Sequence, residues 1–303
     1  MGFINDFGGP WFMESQDTDL TCGMGEGLSA IAYPMGPNVD PIIPMLNLAA
    51  GACAEEKSKE QELRYIRAMR RNDVETAQDA RTLQQRWLAL AAHRQYAGYL
   101  AAVRAWGEPS EKCPKLSDRN DEMSYLMGLL LGVQAFQSDF ALGGSMVPPS
   151  TVPKVMQGLS CLESDDFWGV PDAIRSMTEI VLAYVGDDQE ALDIGYAKLT
   201  RASLVGERQG VRMVQAIQVT LYGLQGKEKE AKQLIRDHVA SKKEIPSSEK
   251  FRILDEMATR GIRLVSDKMW TQATGQRTPF GKLGTFWDDK ATLDSALDID
   301  DLL

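Results

Sequence analysis

The sequence predicts an all-α protein made of stacked helix hairpins, as a tetratricopeptide-like array or an irregular helical bundle. Three observations predict it. Apolar residues recur at three- and four-residue spacing in one segment after another, which puts them on one face of a helix. Short breakers bearing Gly, Asn or Pro separate these segments. No segment sustains the period-two, β-branched alternation of a half-buried strand.

Taken in order, residues 1–37 hold Gly8, Gly9, Pro10, Gly23, Gly25, Gly27, Pro34, Gly36 and Pro37 and read as an irregular N-terminal arm. Residues 38–274 read as a helical, ligand-binding domain. Its clearest helix opens at Asn72-Asp73, steps through Leu88, Ala92, Tyr96, Tyr99, Val103 and Trp106, and is stopped by Gly107 and Pro109. The most apolar run, 123–136, is interrupted by Ser124 and Gln134. It is short enough to be a buried core helix and too short to span a membrane. Ile174, Met177, Val181 and Tyr184 repeat the helical spacing behind Pro171, a residue suited to a first helical turn. Val211, Val214, Ile217, Leu221 and Leu224 do so again, as do Phe251, Leu254, Ala258, Ile262, Val265 and Met269. Residues 275–303 turn Gly-, Pro- and aromatic-rich. They end in Asp288, Asp289, Asp294, Asp298, Asp300 and Asp301 around Leu293 and Leu297, an acidic tail that is solvated or forms one short helix.

The breakers carry a repeat. Gly186-Asp187-Asp188-Gln189-Glu190-Ala191 aligns with Gly226-Lys227-Glu228-Lys229-Glu230-Ala231, and Arg71-Asn72-Asp73-Val74-Glu75-Thr76-Ala77 is a weaker third copy. Such a block is the turn of a helix hairpin. Gly or Asn takes the tight backbone, and Ala lets the helices approach; hairpins of this kind bury their apolar faces only by stacking.

At 303 residues, the chain is long enough to bury a core without metal or disulfide staples. Its 33 basic and 43 acidic side chains give a formal charge of −10, which argues against a nucleic-acid binder or a polybasic membrane-surface protein. The N-terminal MGFINDFGGPWF lacks a basic region followed by an apolar one, so no signal peptide is expected in this chain. Cys22, Cys53, Cys113 and Cys161 are too widely spaced for a zinc ribbon or a thioredoxin-type pair. They are buried thiols, or, in an oxidising compartment, disulfides in one of three connectivities, of which the most local is Cys22–Cys53 with Cys113–Cys161.

No catalytic constellation emerges, and no catalytic residue, metal site or cofactor is expected. His93 and His238 lie far apart without metal-ligand neighbours and read as polar-face or capping imidazoles. Gly23-Met24-Gly25-Glu26-Gly27 fails the dinucleotide fingerprint, since no strand precedes it and Leu28 stands where the third glycine belongs. Gly281-Lys282-Leu283 lacks phosphate-loop spacing and the hydroxyl that would reach magnesium. Thr151 and Lys154 have nucleophile–lysine spacing, but a Pro-rich context makes them the start of a helix.

The unusual feature is apolar. Fourteen methionines and six tryptophans occur in a chain with few polar devices. Methionine is flexible and polarizable, so a lining of Met and aromatic side chains adapts to apolar ligands. The residues expected to bind such a ligand are Trp87, Tyr96, Tyr99, Tyr125, Met127, Gln134, Phe136, Met146, Trp168, Met177 and Met213, with Tyr96, Tyr99, Tyr125 and Gln134 at the mouth. Gly128 and Gly132, one turn apart, let either a neighbouring helix or a ligand come close to the backbone.

The order of features resembles the tetratricopeptide-like T component of TRAP transporters, the TatT family. It comprises an arm with Cys22, a helix over 40–54, a long helix (DVETAQDARTLQQRWLALAAHRQYAGYL) and an apolar Gly-bearing helix (YLMGLLLGVQAFQSDF). A Pro-bearing loop with a short helix follows (PPSTVPKVMQGLSCLESDD), then hairpins over 170–240 and a last helix (EKFRILDEMATRGIRLVSDKMW). The resemblance covers residues 38–272. It implies a periplasmic, non-enzymatic protein that binds or relays a ligand, and a relative serves as the outer-membrane-associated component of a bacterial sterol transport system. Neither Leu20-Thr21-Cys22 nor Ala50-Gly51-Ala52-Cys53 forms the lipid-attachment motif that many members carry.

The expectation is a carrier that holds a hydrophobic molecule, such as a sterol or another lipid, in an elongated apolar cavity and relays it between membranes. The alternative is a repeat scaffold that binds a protein, such as a transporter's substrate-binding subunit.

Overall fold

The computed structural model describes residues 8–110 and 112–289. Eleven α-helices and no strand occur among the described residues, so the fold is all-α. None of the helices is long and apolar enough to cross a membrane.

Two short helices, α1 (Gly9–Glu14) and α2 (Thr18–Ala32), occupy the described part of the arm that the sequence presents as irregular. Asp17 caps α2, accepting from the Asp19 and Leu20 amides at 3.0 and 2.9 Å. One of the arm's glycines serves a close contact. A Cβ at Gly25 would lie 2.7 Å from Cβ of Ala49 on α3 (Ile43–Arg70), so only Gly allows that approach.

The frame is the long antiparallel hairpin of α3 and α4 (Val74–Trp106), against which α5 (Arg119–Ala141) packs. Gly107, in left-handed geometry, ends α4 as the sequence indicates. Gly128 and Gly132 of α5 meet a helix and not a ligand. A Cβ at Gly128 would collide with Ala102, and one at Gly132 would lie 2.7 Å from Cδ2 of Tyr99. After α6 (Thr151–Leu159) come the hairpins α7–α8 (Val170–Val185 and Gln189–Arg208) and α9–α10 (Met213–Leu224 and Glu228–Glu244). Helix α11 (Arg252–Thr274) returns to α9 and to α1, α2 and α3, so the hairpins close on themselves into a bundle.

The three repeat blocks are hairpin turns of one geometry. Each holds a left-handed residue (Asn72, Asp187, Gly226), and the next residue donates its amide to a carbonyl five positions back: Asp73 to Ala68, Asp188 to Ala183, Lys227 to Tyr222, all at 3.0 Å. This corrects the alignment. Asp187, not Gly186, is the counterpart of Gly226; Gly186 keeps φ −81°.

Both local disulfide pairings form, Cys22–Cys53 with Cα atoms 5.6 Å apart and Cys113–Cys161 at 5.4 Å. Beyond α11, residues 275–289 form no helix and lie along α10 and α11. Phe286 is buried, the Trp287 ring stands edge-on to Trp270 at 5.6 Å, and Lys232 pairs with Asp288 at 2.8 Å. Leu293, Asp294, Leu297, Asp298, Asp300 and Asp301 lie outside the described residues.

Candidate functional site

Of the residues expected to line one cavity, Tyr99, Tyr125, Met127 and Trp168 are buried in the main core and Tyr96, Met177 and Met213 pack against it. Trp87 is on the α3–α4 surface under the Lys57 ammonium, 4.8 Å from its ring centre. Tyr99 is buried and stacks on the partly buried Tyr96 at 6.0 Å. Tyr125 is buried edge-on to Trp106 at 5.8 Å, and its hydroxyl has no hydrogen-bond partner among the described residues. Burial pushes the Tyr125 phenol up to about 12 and carries Tyr99 higher still. Phe136 stacks on the exposed Phe140 at 5.9 Å; Gln134 is half-buried and Met146 exposed. Trp168 is packed between Phe167 and Phe251, the latter at 4.8 Å, while Met177 and Met213 pack against the main core.

Met127 of that set faces a small void. The space is about 10 Å³, near the size of one water and far below a lipid. Phe12 and Met13 of α1, Met45, Leu48 and Ala49 of α3, Met123 and Met127 of α5, and Leu254 and Met257 of α11 enclose it. The sequence reading missed Phe12 and Met13 because it took the arm for irregular chain.

Polar chemistry is concentrated where α9, α10 and α11 meet. The Arg212 amide and Nη1 donate to the two Asp255 oxygens at 2.9 Å each, and its Nε donates to Ser241 Oγ at 2.7 Å. Its Nη2 donates to the Ser241 carbonyl at 3.0 Å and also to that of Ile245. His238 bridges Gln215 Oε1 at 2.7 Å and Thr259 Oγ1 at 3.1 Å. Burial lowers the imidazole to about 4, so it is neutral near pH 7. Burial alone would raise the Asp255 carboxyl, but hydrogen bonds from Ser247 and the Arg212 amide, with the charges of Arg212 and Lys242, outweigh it and hold the carboxyl below its usual range. Arg212, Asp255 and His238 have no exposed surface, so the cluster clasps three helices and no substrate reaches it. His93, by contrast, is exposed on α4, and Lys154 pairs with Glu108. Among the described residues, no group of three or more His, Cys, Asp or Glu is placed to hold a metal ion.

The feature that asks for an occupant is outside. Helix α7 is covered by α8 as far as Ile180, whose side chain fills the space that Gly195 leaves. Beyond it only Ala183 is buried. Leu182 is 67% exposed, Tyr184 66% and Val185 80%, with Val181 and Ile194 beside them. The sequence periodicity puts Val181 and Tyr184 on the core face; both are exposed, because α8 covers α7 along the side that carries Ile180 and Ala183. Asp187, Asp188, Glu190 and Asp193 lie exposed in the α7–α8 turn and the first turn of α8, while Glu179 is paired with Lys198 at 2.8 Å. That acidic run around apolar residues was the signal available in the sequence.

Compared with models of known protein families, with curated proteins and with solved structures, the chain matches none.

Proposed function

We propose that this chain is a non-enzymatic helical scaffold whose α7–α8 tip docks a basic amphipathic segment of a partner protein. The observation that carries the reading is the exposure of Leu182, Tyr184 and Val185 at the end of α7, next to the exposed carboxylates of Asp187, Asp188 and Glu190. Covering each of these side chains is worth about 1.5–3 kcal/mol before the costs of association. The neighbouring carboxylates select what covers them. A segment with Lys or Arg flanking apolar anchors satisfies both parts. A second copy, itself at −10, and an anionic membrane both meet like charge.

The pairing of all four cysteines supports an oxidising compartment such as the periplasm. The TatT-like order of helices supports a partner of the transporter-associated kind, such as a substrate-binding subunit. A second reading, carriage of a sterol or other lipid, draws support from the methionine-lined seam beneath α1.

The test titrates a fluorescent Leu/Lys amphipathic helical peptide into the full chain, with a Leu/Glu peptide as control. The Leu/Lys peptide is expected to bind with a salt-weakened affinity that falls at least tenfold in Leu182→Ser/Val185→Ser, a change that leaves every charge in place. Equal binding by that variant, or none by the wild type, overturns the proposal.

A further inference from the structure

We propose that α1 is a removable plug over a latent apolar binding site, whose ligand is a hydrocarbon-rich molecule with no buried polar group. The inference is independent of docking at the α7–α8 tip.

The seam described above has an unusual lining. With Phe12 and Met13 set aside, it consists of Met45, Leu48, Ala49, Met123, Met127, Leu254 and Met257, four of them thioethers and none polar. Methionine side chains adjust to irregular shapes, and apolar cavities stay dry until an apolar molecule enters. Two side chains fill this one, Phe12 at 7% and Met13 at 8% exposure, and both come from a helix of six residues.

That helix is weakly held. Neither Trp11 nor Glu14, the two α1 side chains with a polar atom, makes a hydrogen bond or ion pair to another element among the described residues, its N-cap Gly8 supplies no capping side chain, and Trp11 beside Phe12 is half in solvent. The next helix is fixed. A disulfide ties Cys22 of α2 to Cys53 of α3, Arg260 of α11 holds Thr18 and also Asp19 at 2.7 Å, and Glu26 pairs with Arg94 at 2.7 Å. Between the two lies the short link Ser15-Gln16-Asp17. A loosely held helix on a short link from an anchored one can leave without disturbing the rest. Its departure exposes a site that only an apolar ligand refills.

The probe is N-phenyl-1-naphthylamine, an uncharged fluorophore whose emission rises in apolar surroundings. Phe12→Ala/Met13→Ala is expected to bind it saturably and at least tenfold more tightly than the wild type. Adding Met127→Trp, which fills the seam from α5, is expected to return binding to the wild-type level. A double variant with wild-type helical circular dichroism and no gain overturns the proposal, as does a gain that survives Met127→Trp. Hydrogen exchange on the unmodified chain tests the same claim should the double variant fail to fold. Amides of 9–14 are expected to exchange at least ten times faster than those of 18–32, and equal protection overturns it.

Discussion

Arg212 and Asp255 meet with neither side chain exposed, and every arm of the guanidinium is used: Nη1 on the carboxylate, Nε on Ser241, Nη2 on the carbonyls of Ser241 and Ile245. The pair joins the start of α9 to α11 and holds the chain that leaves α10. Removing one partner leaves the other charge buried without compensation, a loss of about 3–5 kcal/mol. Asp255→Ala is therefore expected to lower the unfolding free energy by that amount in urea titrations. Arg212→Met/Asp255→Leu, which removes both charges, is expected to recover most of it. A single variant within about 1 kcal/mol of wild type would contradict the clasp.

His238 makes the same corner pH-sensitive. Its folded value, lowered by burial to about 4, lies below the 6.5 of the unfolded chain. The unfolded state therefore takes up a proton first as pH falls. Stability is full above about 6.5 and declines toward about 4, by about 3 kcal/mol in all. Asp255, held below its ordinary 3.8, adds a loss at still lower pH, since its contribution is present above that value and disappears as the carboxyl is protonated. Urea midpoints measured between pH 7 and 4.5 are expected to fall in the wild type and to stay nearly level in His238→Gln.

The hairpins were legible in the sequence because they are local. Asn72-Asp73 and Gly226-Lys227 show where the backbone must turn, and the apolar steps on either side give the helices. What a helix faces is not local. Gly128 and Gly132 announce a close approach but not its partner, which could have been a helix or a ligand and is the helix, through Ala102 and Tyr99. Arg212 and Asp255 stand 43 residues apart with no spacing to link them. The size of the interior escaped for the same reason. Composition counts methionines and aromatics, whereas a cavity exists only where they fail to fill the gap. Here Phe12 and Met13, from an arm whose glycines suggested irregular chain, fill it.

The two disulfides are expected to stabilise the fold by restricting the unfolded chain, with only a weak dependence on loop length. Cys22–Cys53 spans 31 residues and Cys113–Cys161 spans 48. Restricting the unfolded chain by loops of this length is worth about 4 kcal/mol each. Peptide mapping of the unreduced protein is expected to recover these two pairs and no other. Mild reduction is expected to lower the thermal midpoint. Recovery of a Cys22–Cys113 or Cys53–Cys161 peptide would contradict the pairing.

The hairpin turns supply a prediction that separates their geometry from the sequence alignment. Alignment at a fixed offset equates Gly186 with Gly226, which would make both glycines essential. The backbone does not: Gly226 has φ +70°, whereas Gly186 has φ −81° and the left-handed position is taken by Asp187 at φ +53°. At these two turn positions no neighbour crowds a Cβ, so it is costly only where φ is positive, by about 1 kcal/mol. Gly226→Ala is therefore expected to destabilise the fold by about that much. At Gly186 a Cβ would rest 3.4 Å from the Leu182 carbonyl oxygen, an ordinary contact, and its presence restricts the unfolded chain. Gly186→Ala is expected to be neutral or to stabilise by about 0.5 kcal/mol. Unfolding midpoints of the two variants should thus move apart; a loss as large at 186 as at 226 would restore the alignment and refute the shared turn.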